Sequence, residues 1–185
     1  MALTGRVLRL AGEEVRFVES TDQTDGRYLV ADITMSPGAR GPMPHVHPIQ
    51  EERFEIVSGR ARIRSGREWQ DVGAGDTFVV PSGTAHRITN PFDEALTVRT
   101  TWTPAGDLEH FFENLFGVAM AGKTNRQGVP SLRQIALITQ AHPLSGTPAI
   151  PSLIRVPLFR MLATLGRWSG MKGSYPEHCP HQPEL

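Results

Sequence analysis

Three histidines and one glutamate share a spacing that suits a metal site. His45 and His47 are separated by one residue, Glu52 follows five positions after His47, and His86 comes 34 positions after Glu52. Alternate side chains of a strand point to the same face, so His45 and His47 are expected to face together. Three imidazoles and a carboxylate suit one divalent transition metal per chain: Fe, Mn, Ni, Co, Cu or Zn. Four protein donors on an octahedral ion leave two positions open for a ligand, as catalysis requires.

These four residues lie within a longer pattern of turn residues. The run His45-x-His47-x4-Glu52-x6-Gly59 is followed, after 15 residues, by Gly75-x5-Pro81-x-Gly83-x2-His86-x3-Asn90. Position by position, this pattern resembles the two sequence motifs of the cupin superfamily. The resemblance implies a small barrel, with the three histidines and Glu52 as metal ligands. It also implies turn or structural roles for the other positions: Gly59, Gly75, Pro81, Gly83 and Asn90.

Two positions of this chain do not follow directly from the family pattern: the missing glycine at position 39 and the choice between Glu51 and Glu52 as a ligand. The family's first motif begins with a glycine six positions before the first histidine, where this chain has Ala39 flanked by Gly38 and Gly41. We expect the turn to shift by one residue without affecting the ligands. Glu51 lies beside Glu52, but the spacing to the turn glycine selects Glu52, and strand alternation points Glu51 the other way.

The elements that must position these residues are short strands. Segments rich in β-branched and aromatic residues alternate with Gly, Pro, Asp and Ser breaks up to about residue 105. The strand candidates are EVRFVES, RYLVADITM, RFEIV, ARIRS, DTFVVP and LTVRTTW. This spacing favours a barrel or sandwich. We therefore predict a mainly β fold: a single small cupin β-barrel, antiparallel and jelly-roll-like, with an α-helical C-terminal extension.

The pocket around the metal is predicted from strand alternation and comes out mainly apolar. Alternation from Glu52 points two side chains inward, the last strand turns its apolar face inward, and alternation from His45 points one residue towards the mouth. The predicted lining residues are Met43, Phe54, Ile56, Phe78 and Trp102. Catalytic residues beyond the ligands are not identified by this pattern.

The pattern becomes helical after Pro104, so we divide the chain into a barrel (1–105) and a helical extension (106–185). DLEHFFENLFGVAMAG and SLRQIALITQAH predict two helices, and PSLIRVPLFRMLATLGRW a third, with Pro151 and Pro157 expected at helix starts. The third combines apolar residues with three arginines. We favour its docking on the barrel or a partner subunit; contact with an anionic membrane is the alternative.

Charge is distributed unevenly along the chain. The 19 basic and 19 acidic residues cancel, yet the segment between Glu113 and Glu177 holds seven cations and no acid. This cationic density is too low for a nucleic-acid surface. The one cysteine and the lack of a secretory apolar stretch favour a cytoplasmic protein, and the preference for Arg over Lys suggests a bacterial source.

The function expected from these features is metal-dependent chemistry on a small molecule. The leading hypothesis is a cupin-type dioxygenase that acts on an apolar or aromatic oxygenated substrate. A non-oxidative isomerase or lyase is the second, and a non-catalytic small-molecule-binding module the third, so enzymatic activity is left open. Cupins commonly dimerise through barrel edges, and we expect a homodimer.

Overall fold

Two antiparallel sheets and three α-helices make up the described part of the fold, together with a single 3-10 turn at Asp22–Thr24. The computed structural model describes residues 7–10, 12–125 and 129–178. In these residues the strands are β1 (Val7–Leu10), β2 (Glu13–Glu19), β3 (Leu29–Met35), β4 (His45–Val46), β5 (Glu51–Ser58), β6 (Arg60–Ser65), β7 (Glu68–Gly73), β8 (Thr77–Val80), β9 (His86–Thr89), β10 (Leu96–Thr103) and β11 (Thr147–Pro148). The larger sheet has the order β1-β2-β3-β10-β5-β8, and the smaller has the order β11-β4-β9-β6-β7. The predicted mainly β, antiparallel fold with a helical C-terminal part is confirmed.

The inner face of the larger sheet is set by alternation along β5 and β10. Register places Trp102 opposite Glu52 and Thr100 opposite Phe54, so these four side chains share one face. All four are buried. The hydrophobic residues of this face and those of β6, β7 and β9 form one cluster between the sheets, which includes Phe54, Ile56, Ile63, Val72, Ile88 and Val98.

Two glycines allow the barrel backbone to pass close to itself. Gly41 has φ +64°, and a Cβ on it would collide with the carbonyl oxygen of Ile88. Gly59 has φ +75°, and its Cβ would collide with the carbonyl of Ala95. Only glycine adopts such positive φ values without a Cβ penalty. Both glycines that flank Ala39, Gly38 and Gly41, have positive φ values, and Gly41 is the one that makes the close approach.

The three helices are α1 (Leu108–Met120), α2 (Leu132–Ala141) and α3 (Ser152–Trp168). Their bounds agree with the periodicity of the sequence, and Pro151 caps α3 as expected. Pro157 differs from the expectation, because it lies inside α3. At this second-turn position, proline removes the hydrogen bond that a residue 157 amide would donate to the carbonyl of Leu153, which weakens the start of α3.

The helical part is joined to the sheets at two places. Helix α1 packs its aromatic side chains on the inner face of the larger sheet, where Trp102 and Phe112 lie with their ring centroids 5.3 Å apart. After α2 the chain returns as β11, which pairs with β4. The division into domains 1–105 and 106–185 stays a prediction. In the part of the chain that the structure describes, every helix is too short or too polar to cross a membrane.

Candidate metal centre

Three strands of the barrel bring the four predicted ligands together. His45 in β4 pairs in register with His86 at the start of β9, His47 follows β4 directly, and Glu52 lies on β5 of the facing sheet. One donor atom from each lies within 4.8 Å of all the others. His47, Glu52 and His86 are no more than 5% exposed, and His45 is partly buried. The neighbouring Glu51 is exposed and takes no part in the cluster.

Each imidazole is oriented by a backbone carbonyl on its Nδ1. His45 Nδ1 lies 3.0 Å from the oxygen of Met43, and His86 Nδ1 lies 2.9 Å from that of Thr84. His47 Nδ1 bonds the carbonyl of Ser145. A carbonyl can only accept, so each ring donates from Nδ1, and this assigns the lone pair to Nε2. Neutral imidazoles with a free Nε2 are the form that binds a metal.

The ligand atoms of these side chains are arranged to bind an ion rather than to hydrogen-bond with one another. Nε2 of His86 lies 2.5 Å from Oε2 of Glu52, and Nε2 of His47 lies 3.5 Å from the same oxygen. Nevertheless, His86 Nε2 and Glu52 Oε2 are buried without a well-formed hydrogen bond. Buried polar atoms normally have partners. Ligand atoms that converge on one point without hydrogen-bond partners therefore indicate a site for an ion.

Charges within the cluster shift the pKa values in opposite directions. Burial alone would raise the pKa of Glu52, but the imidazoles of His47 and His86 close to its carboxylate outweigh it and hold this pKa well below its ordinary range. Burial lowers the pKa of His86, yet the negative charge of the adjacent Glu52 carboxylate raises it overall. Burial, together with the neighbouring histidines, lowers the pKa of His45 to about 3. His45 is therefore a neutral ligand at any physiological pH.

The predicted pocket residues differ in their surroundings. Phe54 and Ile56 are buried between the sheets, and Phe78 packs against the same cluster while partly exposed. Trp102 is buried on the face that carries Glu52 but packs towards α1. Met43 differs from the alternation-based expectation, because its side chain is 52% exposed. Its backbone carbonyl, which orients His45, is the part that serves the centre.

Sequence reasoning missed the contribution of the helical part to this centre. The carbonyl of Ser145 that holds His47 comes from the loop between α2 and β11. Asp107, just before α1, accepts hydrogen bonds from Ser145 Oγ (2.7 Å) and from the Leu144 amide (3.3 Å). Gly146 lies so close that an added Cβ would be 3.2 Å from the His47 ring. No motif marks these residues, since the contact depends on a loop 98 positions away from His47.

Three further polar groups lie in the interior, and one of them belongs to the predicted lining residue Trp102. Thr100 Oγ1, Trp102 Nε1 and Gln50 Oε1 are buried without a hydrogen-bond partner among the described residues. Thr100 and Trp102 share the inner sheet face with Glu52. Buried polar groups without partners carry a free-energy cost. A bound small molecule that supplied partners would remove this cost.

Residues 31–114 match the family model Cupin_2, a cupin domain. Two curated relatives align over part of the chain. One is a mannose-1-phosphate guanylyltransferase from Salmonella muenchen, 35% identical over 65 residues, which are 35% of this chain and 13% of that protein. The other is a pyrimidine/purine nucleoside phosphorylase from Chlorobium chlorochromatii, 29% identical over 80 residues, which are 43% of this chain and 67% of that protein.

Similar solved structures cover about half of the chain. A sugar phosphate isomerase of the cupin superfamily from Silicibacter pomeroyi aligns at 20% identity and a TM-score of 0.47, over 52% of this chain and 62% of that one. An oxalate decarboxylase from Bacillus subtilis aligns at 26% identity and a TM-score of 0.47, over 54% of this chain and 27% of that one. The activities in these names belong to those proteins.

Proposed function

Because the chain belongs to the cupin superfamily through residues 31–114, we propose that it is a metalloenzyme acting on a small molecule. Its ligands would be His45, His47, Glu52 and His86. The observation that carries this proposal is the convergence of the four donor atoms, within 4.8 Å of one another, in the barrel interior. A transition metal bound there would supply Lewis acidity and, for a redox-active ion, the ability to react with dioxygen.

The chain's own residues supply binding, orientation and exclusion of water. Carbonyls hold the three imidazole rings in place, and Glu52 balances the positive charge of an ion. Phe54, Ile56 and Trp102 supply apolar surroundings on the same sheet face. An apolar or aromatic molecule with an oxygen directed at the open metal positions matches these surroundings. We therefore favour a dioxygenase-type reaction.

A matched pair of variants tests the metal site. Glu52→Gln removes a buried negative donor, whereas Glu51→Gln changes its exposed neighbour and serves as the control. We expect protein purified without chelators or affinity metal to hold about one metal per chain. Glu52→Gln should lose most of this metal, and Glu51→Gln should keep it, as measured by elemental analysis. Full metal content in a His45/His47/His86 triple alanine variant would overturn the site.

Oxygen consumption separates the leading reaction class from the second. With its native metal, the protein should consume dioxygen with at least one member of a panel of hydroxylated aromatic compounds. A non-oxidative isomerase or lyase is the second candidate, because Thr100 and Gln50 offer the interior polar atoms that a purely apolar ligand would leave unpaired. Zinc as the sole native metal, without oxygen uptake, would favour this candidate.

We also propose that the chain forms a homodimer through the exposed face of α3. Five apolar side chains on this face are 36–81% exposed: Ile154, Leu158, Met161, Leu165 and Trp168. Their spacing of 4, 3, 4 and 3 positions is the one by which paired helices form a continuous apolar stripe, which we call the seam. The side chains that bury α3 against α2, among them Phe159 and Ala163, lie on the opposite face. Such a large apolar face marks an interaction site.

A further inference from the structure

A second concave surface lies in the helical part, away from the metal centre. A groove of about 640 Å³ runs between α2, α3 and β11. Its lining includes three guanidinium groups and three hydroxyl groups, from Arg155, Arg160, Arg167, Thr139, Thr147 and Thr164. Groups that donate hydrogen bonds therefore dominate the polar part of its wall.

The three arginines have no acidic partner in the described part of the chain. Arg155 Nη1 bonds the Thr147 hydroxyl and lies 3.5 Å from the carbonyl of Pro148. Arg167 Nη1 lies 3.5 Å from Oε1 of Gln140. Arg160 forms no side-chain hydrogen bond or ion pair there. The sequence has no Asp or Glu from residue 114 to residue 176, so the helical part supplies little to neutralise these charges.

We propose that this groove binds a phosphate-bearing anion. Guanidinium forks pair with phosphate oxygens through two hydrogen bonds each. The hydroxyl of Thr147 accepts from Arg155, so its own hydrogen is left to donate to the same oxygens. One carboxylate would occupy one arginine, whereas a ligand with several anionic oxygens can bind more than one. The chemical class that fits is therefore a phosphate or pyrophosphate group, free in a small molecule or exposed in a lipid headgroup.

The groove is separate from the metal site, but a hydrogen bond and a strand pair connect the two. Arg155 holds Thr147 and Pro148, which form β11, and β11 pairs with Val46 and His45 of β4. An anion bridging the arginines would fasten α3 to the strand that supports the metal ligands. The groove residues are not themselves metal ligands, so anion binding does not depend on the metalloenzyme proposal.

Inorganic pyrophosphate is the probe for the free-phosphate form of the proposal. Because pyrophosphate can also coordinate a metal, the titration uses the full-length Glu52→Gln chain, freed of residual metal, as background. Calorimetry should show saturable binding in this background. Adding Arg160→Gln or Arg167→Gln should weaken it about three- to tenfold each, as expected for a lost charge-assisted hydrogen bond.

A matched control distinguishes a built site from general positive charge. Arg133 is a cation of the same acid-free segment, but its Nη1 bonds Ser169 Oγ and it does not line the groove. Arg133→Gln should leave the affinity unchanged within about twofold. Equal loss in all three variants, or no saturable binding in the background chain, would overturn the free-phosphate form.

Vesicles separate the two sources of the phosphate group. Flotation with phosphatidylcholine vesicles, with and without phosphatidylglycerol, is compared between the wild type and the Arg160→Gln/Arg167→Gln double variant. Loss of pyrophosphate binding in the double variant assigns a soluble ligand. Loss of flotation on anionic vesicles in the double variant assigns a headgroup. If neither kind of binding depends on the two arginines, the proposal is wrong.

Discussion

At the scale of single residues, the candidate centre uses both nitrogens of each imidazole. Nδ1 is taken up by a carbonyl from Met43, Thr84 or Ser145, and Nε2 is left for the ion. The carboxylate of Glu52 then sets which rings carry protons when no metal is bound. Below the raised pKa of His86, the metal-free site carries a proton on this ring, and an incoming ion must displace that proton.

Competition between the metal ion and a proton on His86 predicts that metal affinity depends on pH. The pKa of His86 is raised above its ordinary value of 6.5, whereas His45 is neutral down to about pH 3. Metal affinity should therefore be constant above the raised pKa of His86. Below it, affinity should fall about tenfold per pH unit, because one proton competes with the ion.

Competition titrations with a chelator of known proton affinity, between about pH 6 and pH 9, measure this dependence. The number of protons released on binding follows from calorimetry in two buffers of different ionisation enthalpy. Affinity that does not change with pH across this range would contradict a protonated His86 in the metal-free protein.

At the scale of elements, the loop between α2 and β11 completes the orientation of His47. Asp107 anchors Ser145, and Ser145 holds the imidazole. Asp107→Ala should lower metal affinity about tenfold without removing a ligand, the usual effect of losing an outer partner. Asp93→Ala, at an exposed position outside this network, is the control. Unchanged affinity in Asp107→Ala would show that the loop does not position His47.

The turns of the barrel predict a second effect at this scale. Gly41→Ala adds both a positive-φ penalty and a collision with the carbonyl of Ile88, so its free energy of unfolding should fall by about 3 kcal/mol or more. Gly66→Ala has a similar φ of +60° but no atom within 4 Å, and should cost only about 1–2 kcal/mol. Denaturant titrations measure both; equal losses would contradict the role of the close approach.

Sequence reasoning recovered the elements whose side chains alternate clearly. The inward positions of β5 and β10 are mostly apolar and recur at every second residue, so their inner faces were predictable. β7 was not predicted, because Val72 is its one buried side chain and the strand therefore shows no apolar alternation. β11 has two residues, and only its pairing with β4 defines it. The ligand quartet was predictable from spacing, whereas Ser145 was not, since it acts through its backbone.

At the scale of the whole molecule, the charge and apolar patterns of the C-terminal part separate onto different faces. The arginines of α3 line the groove, and the apolar seam lies on the other side of the same helix. The seam carries no charge, so two copies could pair there without opposing cations. A membrane-bound helix would instead place its cations at the edge of the apolar face.

The oligomeric state tests this arrangement. Leu158→Glu with Leu165→Glu places charges in the seam and should convert a dimer to a monomer in light-scattering measurements of mass. Leu153→Glu changes a 90% exposed side chain outside the seam and should leave the dimer intact. The membrane alternative would be favoured if the wild type is a monomer that floats on anionic vesicles and the Leu158→Glu/Leu165→Glu variant no longer floats.

The hydrogen bond from His47 to Ser145 also orders events during synthesis of the chain. The two residues are 98 positions apart, and chains grow at about 5–20 residues per second, so Ser145 is added about 5–20 s after His47. The four ligands and the barrel strands β1 to β10 all precede it. A nascent barrel can therefore meet metal before the ring of His47 is fixed, and the final orientation of this ligand is set only after the loop that carries Ser145 has been made.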